Sequence, residues 1–245
     1  RRPGLAFLVA VAASWCALAI ALALALQVQG SGAISYPIGN WPPPIGIEYR
    51  VDALSSAMLV LVAGIASVVL PFARGSIERE VPAAQHYLFY TMFLLCMTGL
   101  LGISITGDAF NIFVFLEISS LSTYVLIALG RDKRALVAAY QYLIMGTIGA
   151  TFIVIAIGLL YLMTGTLNLA DMGRRIAAVN GTRPVLAALA FLTVGVSLKL
   201  ALFPLHQWLP NAYAYAPTAV SAFVAATATK VAVYVLLRFY FGVFG

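Results

Sequence analysis

The stretch "SLKLALFPLHQWLP", residues 197–210, places a lysine, two prolines and a histidine in an otherwise apolar run. Proline has no N–H, and its ring clashes with the carbonyl four residues earlier. Pro204 therefore conflicts with helix at position 200, directly after Lys199. The stretch predicts a helix that breaks just beyond a lysine. In a membrane, backbone groups freed by such a break are tolerated only where they are buried in protein or line a wet cavity.

The rest of the chain has the composition of a membrane protein. Of its 245 residues, 63% are hydrophobic and 9% are charged, and the mean hydropathy is +1.01. A soluble domain carries about a quarter charged residues. The apolar stretches lack the strand-like alternation that is typical of an outer-membrane barrel. Apolar stretches near or above the ~20 residues of a membrane-spanning helix lie at 5–26, 53–72, 87–105, 109–129, 136–163, 185–209 and 218–240. We predict an all-α, polytopic membrane helical bundle of about seven spans, with the sixth span broken.

Two loops carry local signals. The loop 27–50 contains "GNWPPPIGIEYR", whose prolines and glycines exclude helix. A short hairpin or edge strand over the helix ends is predicted there by the alternating residues Ile45, Ile47 and Tyr49. The loop 164–184 predicts a short amphipathic helix on the surface. The residues expected to face apolar material are Leu167, Leu169, Met172 and Ile176.

The net charge of +6 is spread over the loops between the spans, so it does not indicate nucleic-acid binding. If the spans alternate in direction, the basic residues on one side are Arg1, Arg2, Arg74, Arg79, Arg131, Lys133 and Arg134. Those on the other side are Arg50, Arg174, Arg175, Arg183 and Arg238. Because basic residues are enriched in cytoplasmic loops, we expect the first set to be cytoplasmic and the loop 27–50 to be extracytoplasmic.

Three ionisable residues lie inside the predicted spans: Glu117, Lys199 and Lys230. A charge at the centre of a membrane helix costs about 2.5–3.5 kcal/mol, and such residues generally mark ion pathways. Snorkelling of the two lysines to the headgroups is one alternative, and a purely structural buried ion pair is another. Snorkelling does not explain Glu117, whose side chain is short and whose flanks are apolar. We therefore predict a proton pathway through these residues.

Hydroxyl groups accompany two of these charges at helical spacing. Ser120 and Tyr124 follow Glu117 at i+3 and i+7. Around Lys230, the corresponding supporting residues are Thr227 and Tyr234. Polar stripes of this kind are typical of helices that face a bundle interior or water.

His206 follows Lys199 by seven residues, beyond the break at Pro204. Histidine changes charge near neutral pH, so His206 is a candidate proton relay. A packed, hydrogen-bonded ring is the alternative.

The sequence predicts no metal site and no cofactor. Cys16 and Cys96 lie in different predicted spans, without metal-ligand spacing, and are expected to be packing thiols. The sequence has no haem-type histidine pair, cysteine cluster, flavin motif or nucleotide-binding glycine loop. Any electron-transfer chemistry would therefore reside in partner subunits.

Two long segments resemble the antiporter-like subunits of complex I and of multisubunit cation/proton antiporters. They are "GDAFNIFVFLEISSLSTYVL" (107–126) and "LKLALFPLHQWLPNAYAYAPTAVSAFVAATATKVAVYVLLRF" (198–239). The loop "GNWPPPIGIEYRVDALS" is most similar to the D-type subunit of the antiporters. The resemblance implies that Glu117 pairs with Lys199 on the broken helix. It also implies that Lys230 continues the proton path towards the protein centre, and that His206 is the histidine after the break.

The resemblance further implies how the chain is divided. Residues 1–86 would form two N-terminal spans with the Pro-rich extracytoplasmic loop, and residues 87–245 one five-helix proton-translocating repeat. The family usually has a second such repeat, so a partial chain or split subunit is expected. The segment "NAYAYAP" stands where complex I relatives tend to place an acidic residue and a histidine, which favours the antiporter branch.

Together these observations predict a proton-translocating subunit of a multisubunit cation/proton antiporter in the inner (plasma) membrane. Its expected partners are other membrane subunits, lipid and protons, with Na⁺ as a further candidate, and no nucleic acid. One alternative is a membrane subunit of an NADH-quinone oxidoreductase or of a membrane-bound hydrogenase. A second alternative is an assembly module that moves no ion itself. No redox chemistry is expected of the chain in any of these cases.

Overall fold

The computed structural model describes residues 3–245 and has the expected all-helical architecture. Arg1 and Arg2, which the orientation prediction used, lie outside the described residues. The α-helices are α1 (Pro3–Ser31), α2 (Ala53–Glu80), α3 (His86–Ile105), α4 (Ala109–Ala128), α5 (Lys133–Thr164), α6 (Leu169–Ile176), α7 (Arg183–Leu200), α8 (Trp208–Tyr215) and α9 (Thr218–Gly242). Within residues 3–245, seven of these helices are long and apolar enough to span a membrane. The predicted seven-span helical bundle is confirmed.

A two-stranded hairpin closes one end of the bundle. Strands β1 (Ile34–Pro37) and β2 (Glu48–Val51) are antiparallel, with Tyr36 opposite Tyr49. Tyr49 also forms a bridge with Thr106 in the turn between α3 and α4, so the hairpin lies over the helix ends as expected. Ile45 and Ile47, which the alternation also assigned to the strand, instead precede β2. The expectation of no helix in the loop 27–50 needs two corrections, because α1 continues to Ser31 and a 3-10 turn spans Ile38–Asn40.

Helix α2 occupies a central position, because it packs against α1, α3 and α9. The antiparallel pair α3 and α4 packs side by side, and α5 packs mainly against α7 and α4. The core contains large side chains that are fully buried, including Leu70, Ile77, Phe89, Phe93 and Phe223. The first two spans therefore pack onto the following five helices. The assignment of residues 87–245 as a functional repeat stays a prediction.

The sixth span is broken where the sequence predicts. Helix α7 ends at Leu200, and Ala201 adopts the left-handed conformation with φ +58°. Helix resumes only at Trp208, so Pro204 lies within the non-helical segment. The indole Nε1 of Trp208 donates a hydrogen bond of 3.0 Å to the carbonyl of Leu198. One carbonyl freed at the end of α7 is thereby satisfied inside the protein.

The short helix α6 confirms the amphipathic segment predicted between the fifth and sixth spans. Asn168 caps its N-terminus by accepting a hydrogen bond from the backbone N–H of Asp171. Its apolar residues Leu169, Met172 and Ile176 are buried. Asp171 pairs with Arg175 one turn later, with 2.8 Å between Oδ2 and Nε.

Candidate functional site

An ion pair between α4 and α7 lies in the interior of the bundle. The Nζ of Lys199 lies 3.2 Å from Oε1 of Glu117 and donates a 2.8 Å hydrogen bond to Oγ of Ser120. The Lys199 side chain is 4% exposed and that of Glu117 is 26% exposed. Snorkelling therefore does not account for Lys199 in this fold. The structure brings together these three predicted site residues.

The break fixes the position of Lys199. Lys199 is the penultimate residue of α7, so its ammonium lies at a helix C-terminus, where the backbone dipoles favour a positive charge. Burial in apolar surroundings disfavours a charged amine, whereas a carboxylate within hydrogen-bonding distance favours it. The protonation of Lys199 therefore depends on how close Glu117 remains.

An aromatic cluster surrounds the site on the side of α5 and α8. The buried ring of Tyr124 packs edge-on against Tyr142, with centroids 4.7 Å apart. Tyr142 stacks on Trp208 with a centroid distance of 3.9 Å and an interplanar angle of 3°. This cluster connects α4, α5 and α8, so it also holds the segment that follows the break.

His206 lies within the break rather than on a resumed helix. Its ring is half-buried and packs against Phe203 at a centroid distance of 5.5 Å. The Nδ1 atom is buried and has no hydrogen-bond partner among residues 3–245. The alternative of a hydrogen-bonded structural ring is therefore not realised at Nδ1.

Lys230 lies apart from the Glu117–Lys199 pair. Its side chain is exposed on α9, and Nζ donates a 2.7 Å hydrogen bond to the carbonyl of Ala225. Thr227 is fully buried, and its hydroxyl donates to the carbonyl of Phe223 in the same helix. Lys230 therefore does not face the interior of these spans, in contrast to the expectation from the polar stripe. Its role in a proton pathway stays a prediction.

Tyr234 belongs to a second polar cluster, which the sequence analysis did not predict. Its hydroxyl donates to the carbonyl of Ser104 at 2.9 Å and lies 3.1 Å from Oγ of Ser55. Arg238 donates from Nε to the same hydroxyl at 2.9 Å and from Nη1 to Oδ2 of Asp52 at 2.6 Å. Two sequence features could have predicted this cluster: Tyr234 and Arg238 are four residues apart on one helix, and Asp52 stands at the start of a predicted span.

The second cluster borders a cavity of about 170 Å³ beneath the hairpin, together with Glu48 and Arg50. Glu48 is buried and accepts hydrogen bonds from Oγ of Ser35 at 2.6 Å and Nδ2 of Asn168 at 2.8 Å. Partial burial raises the pKa of Asp52, but hydrogen bonds from Arg238 and from the Ser55 backbone outweigh it. The pKa of Asp52 is thereby lowered to about 2. Asp52 is therefore a carboxylate at neutral pH.

Within residues 3–245, no group of three or more His, Cys, Asp or Glu side chains is arranged to hold a metal ion. Cys16 is exposed, and Cys96 is buried with its sulfur 3.3 Å from Oγ1 of Thr123. The chemistry that the site geometry supports is proton binding and release at the Glu117–Lys199 pair.

These features define a multi-pass membrane protein with an intramembrane ion pair at a broken span. The family described as "NADH:quinone oxidoreductase/Mrp antiporter, TM" matches residues 106–244. This match covers more than half of the chain and includes Glu117, Lys199 and Lys230. The chain belongs to this family, and the resemblance stated from its sequence motifs is confirmed.

Relatives come from both branches of the family. The chain is 47% identical over 203 residues to the N-type subunit of the NADH-quinone oxidoreductase of Desulforudis audaxviator, covering 83% of this chain and 40% of the relative. It is 32% identical over 201 residues to the D-type subunit of the Na(+)/H(+) antiporter of Alkalihalophilus pseudofirmus, covering 82% of this chain and 40% of the relative. The chain thus spans about two-fifths of the length of these relatives.

The fold is also that of a subunit of a solved membrane complex. A chain of the Mrp complex from Dietzia sp. DQ12-45-1b superposes with a TM-score of 0.89 at 28% identity. The superposition covers 99% of this chain and 45% of that chain. The seven-span arrangement therefore occurs within a longer subunit of a multisubunit membrane complex.

Proposed function

We propose that this chain is the proton-translocating part of a membrane subunit in a multisubunit ion-transporting complex. The observation that carries the proposal is the buried Lys199, which contacts Glu117 and Ser120 at the end of a broken helix. Intramembrane ionisable residues of this kind are costly and generally serve ion movement. Broken helices near the middle of the membrane are a recurring feature of transporter ion sites.

The pair acts as a switch through its own electrostatics. While Glu117 lies beside Lys199, the carboxylate stabilises the protonated amine. If the two side chains separate, the apolar surroundings disfavour the ammonium, and the proton leaves through water or His206. Return of Glu117 restores the proton affinity of Lys199. A conformational or electrostatic change elsewhere in the complex is thereby converted into directed proton movement.

Lys230 is the next proton-binding group in the proposed pathway. This role rests on its match to the family lysine on the helix after the break. Lys230 is exposed on α9, so in the proposed pathway the proton passes from Lys230 into protein packed against α9. The partners in the proposal are therefore other membrane segments and subunits, in the inner (plasma) membrane.

We favour a cation/proton antiporter as the parent complex, with Na⁺ as a candidate exchanged ion. The resemblance of the hairpin-loop sequence to the D-type antiporter subunit and the likeness to a chain of the Mrp complex support this assignment. The higher identity to the N-type subunit of an NADH-quinone oxidoreductase supports a respiratory complex as the second candidate. Vesicles that contain the complex distinguish the two, because an antiporter responds to a Na⁺ gradient and an oxidoreductase to an electron donor and quinone.

The test of the proposed function is proton flux in vesicles that contain the assembled complex with all its subunits. Glu117→Gln and Lys199→Ala are each expected to lower the flux by about a hundredfold, within the range for loss of an acid–base group. Unchanged flux in both variants would contradict the proposal and would assign the chain a role in assembly only.

Folding must be separated from function in this test. Removing one partner of a buried ion pair leaves the other charge unpaired, at a cost of about 3–5 kcal/mol. The double variant Glu117→Gln/Lys199→Met removes both charges, and the amount of assembled complex is measured for each variant. Loss of flux at a normal amount of complex supports transport. The control is Arg74→Gln, which disrupts the exposed pair with Glu78.

A further inference from the structure

An apolar groove lies on the surface of the bundle between the end of α2 and the start of α9. Its volume is about 180 Å³, and its walls include Val68 and Phe72 on α2 and Ala219 and Ala222 on α9. Val68 is 70% exposed and Phe72 is 90% exposed, so the groove opens to the outside of the bundle. Positions 53–73 of α2 contain no charged residue. The groove therefore lies at the depth of the acyl chains of a bilayer.

A polar pocket of about 280 Å³ continues the groove towards the end of the bundle. Thr218 lines both the groove and the pocket. On α2, Ser76 lines the groove, and Arg79 and Glu80, one turn later, line the pocket. On the opposite wall, Tyr215 precedes Thr218 and lines the pocket. Because both walls run in the same order, the groove and the pocket form one continuous site.

The pocket presents two arginines that have no ion-pair partner. Arg79 at the end of α2 and Arg131 in the α4–α5 loop both line the pocket and are exposed. Neither forms an ion pair with any of residues 3–245. Guanidinium groups bind phosphate oxygens through paired N–H groups. This end of the bundle carries the basic residues that the sequence assigns to the cytoplasm.

The carboxylates of the pocket are occupied by helix starts. Glu80 accepts hydrogen bonds from the backbone N–H of Thr218 at 2.6 Å and from its hydroxyl at 2.7 Å. Asp132 accepts a hydrogen bond of 2.9 Å from the backbone N–H of Arg134. Both carboxylates therefore cap a helix, α9 and α5 respectively, instead of pairing with the two arginines. The two guanidinium groups stay available to an anion.

We propose that the groove and the pocket together bind one anionic phospholipid of the cytoplasmic leaflet. Its phosphate contacts Arg79 and Arg131, and an acyl chain lies along Phe72 and Ala222. A free phosphate ion would leave the apolar groove empty, and the phosphate of a zwitterionic lipid is already balanced by its own ammonium. An anionic phospholipid matches both parts, and basic pockets between spans on the cytoplasmic side are typical sites for such lipids. The bound phosphate would tie the α4–α5 loop to the end of α2.

The first experiment maps the lipid in the assembled complex, reconstituted in phosphatidylcholine vesicles. A trace of phosphatidylglycerol or of phosphatidylcholine, each with a photoreactive diazirine in the acyl chain, is cross-linked, and the labelled peptides are identified by mass spectrometry. The phosphatidylglycerol probe is expected to label segments 68–76 and 218–222 about tenfold more than the phosphatidylcholine probe. Equal labelling by both probes would overturn the preference for an anionic lipid. No labelling of these segments by either probe would mean that protein covers the groove, which would overturn the lipid site.

Arginine variants test the phosphate contact with the same probe. Arg79→Gln and Arg131→Gln are each expected to lower the labelling by phosphatidylglycerol about fivefold, and the double variant about thirtyfold. The matched control is Arg183→Gln, because Arg183 is an exposed arginine at the start of α7, at the other end of the bundle. Labelling should be unchanged in the control. Unchanged labelling in the double variant would overturn the contact between the arginines and the phosphate.

A second pair of variants tests the acyl chain. Ala222→Phe places a ring in the groove and is expected to lower the labelling of segment 68–76 about tenfold, the loss from uncovering roughly two CH₂ groups of the chain. The matched control is Ala12→Phe at an exposed position of α1. Equal labelling in the two variants would overturn the assignment of the groove to the acyl chain.

The second experiment separates a lipid from a free anion and needs no transport activity. The melting temperature of the assembled complex in detergent is measured with added phosphatidylglycerol, phosphatidylcholine or inorganic phosphate. A ligand that binds only the folded protein raises the melting temperature. Phosphatidylglycerol is expected to raise it more in the unmodified complex than in the double variant Arg79→Gln/Arg131→Gln. An equal rise in both complexes, or an equal rise with inorganic phosphate, would overturn the proposal.

Discussion

Asp52 and Arg238 form another ion pair in the bundle, and the environment of this pair differs from that of Glu117 and Lys199. The Asp52–Arg238 pair is bidentate and is supported by hydroxyls of Ser55 and Tyr234. It joins the start of α2 to the last turns of α9. All its polar atoms that are buried have partners, unlike Nδ1 of His206 in the break of the sixth span. We therefore assign this pair a structural role, as an anchor for the end of α9.

Asp52→Asn is expected to destabilise the complex by about 2 kcal/mol, the typical loss for hydrogen bonds to a charged group. The melting temperature of the purified complex should fall by about 5 °C. The control is Glu78→Gln, which disrupts the exposed pair with Arg74 and should change stability by less than about 0.5 kcal/mol. Equal effects of the two substitutions would contradict the anchoring role.

The same anchor predicts a definite pH dependence. The pKa of Asp52 is about 2 in the folded protein and 3.8 in the free side chain. A lowered pKa stabilises the folded state fully above the unfolded value, and this stabilisation is lost as the pH falls through the folded value. The difference in melting temperature between the unmodified protein and Asp52→Asn should therefore stay constant from about pH 5 to 8. A difference that shrinks within this range would show that another group titrates at the anchor.

The sequence predicted some site residues and not others for physical reasons. The family resemblance implied that Glu117 pairs with Lys199, and the cost of an isolated charge inside a membrane gives the physical reason for such a pair. Lys230 was expected to face the bundle interior because Thr227 and Tyr234 lie at helical spacing from it. However, the spacing of polar residues on one helix does not tell which face of that helix packs against other helices. Arg238 was missed as a partner because a basic residue near a span end is ordinarily explained by the membrane surface.

At the level of single elements, the break in the sixth span was the most predictable feature. Proline lacks the N–H hydrogen-bond donor, and its ring clashes with the carbonyl four residues earlier. Pro204 therefore requires the helix to end near position 200. The local sequence did not reveal that Ala201 would adopt a left-handed conformation or that Trp208 would satisfy a freed carbonyl. Both depend on contacts between residues brought together only by the folded chain.

The packing of α7 against α5 depends on a pair of glycines. A Cβ on Gly195 would lie 2.7 Å from the carbonyl oxygen of Gly149, so the two backbones approach closely. Gly195→Ala is expected to push α7 away and to destabilise the complex by about 1–3 kcal/mol. Because Lys199 follows Gly195 by one turn, proton flux should fall as well.

The control for Gly195→Ala is Gly158→Ala in α5, since a Cβ there meets no atom within 4 Å. Alanine favours helix over glycine, so Gly158→Ala should leave the melting temperature unchanged or slightly raised. Melting temperature and flux are measured for both variants. If Gly195→Ala behaves like Gly158→Ala, close contact between α5 and α7 does not position Lys199.

At the scale of the whole molecule, composition and run lengths predicted the seven spans because the membrane thickness dictates helix length. The central position of α2 was not predictable, since its most apolar stretch is about as apolar as that of α1, which is much less buried in the bundle. The order of packing depends on shape complementarity between helices, such as the close approach of α3 and α4 at Gly99. Lipid and a partner helix offer similarly apolar surroundings, so hydropathy does not distinguish them.

The exposed Lys230 gives a prediction about the molecule in its complete assembly. A charged side chain that faces lipid from a spanning helix is costly. Because relatives are more than twice as long as this chain, we expect further protein to cover the Lys230 face of α9. A nitroxide label at Lys230→Cys, in a background with Cys16→Ala and Cys96→Ala, should therefore be immobile and shielded from oxygen dissolved in lipid. The matched label at Leu162→Cys, a position 74% exposed on α5, should report free access to oxygen. Equal oxygen access at both positions would mean that α9 faces lipid at Lys230, and the proton path could not continue through that residue into neighbouring protein.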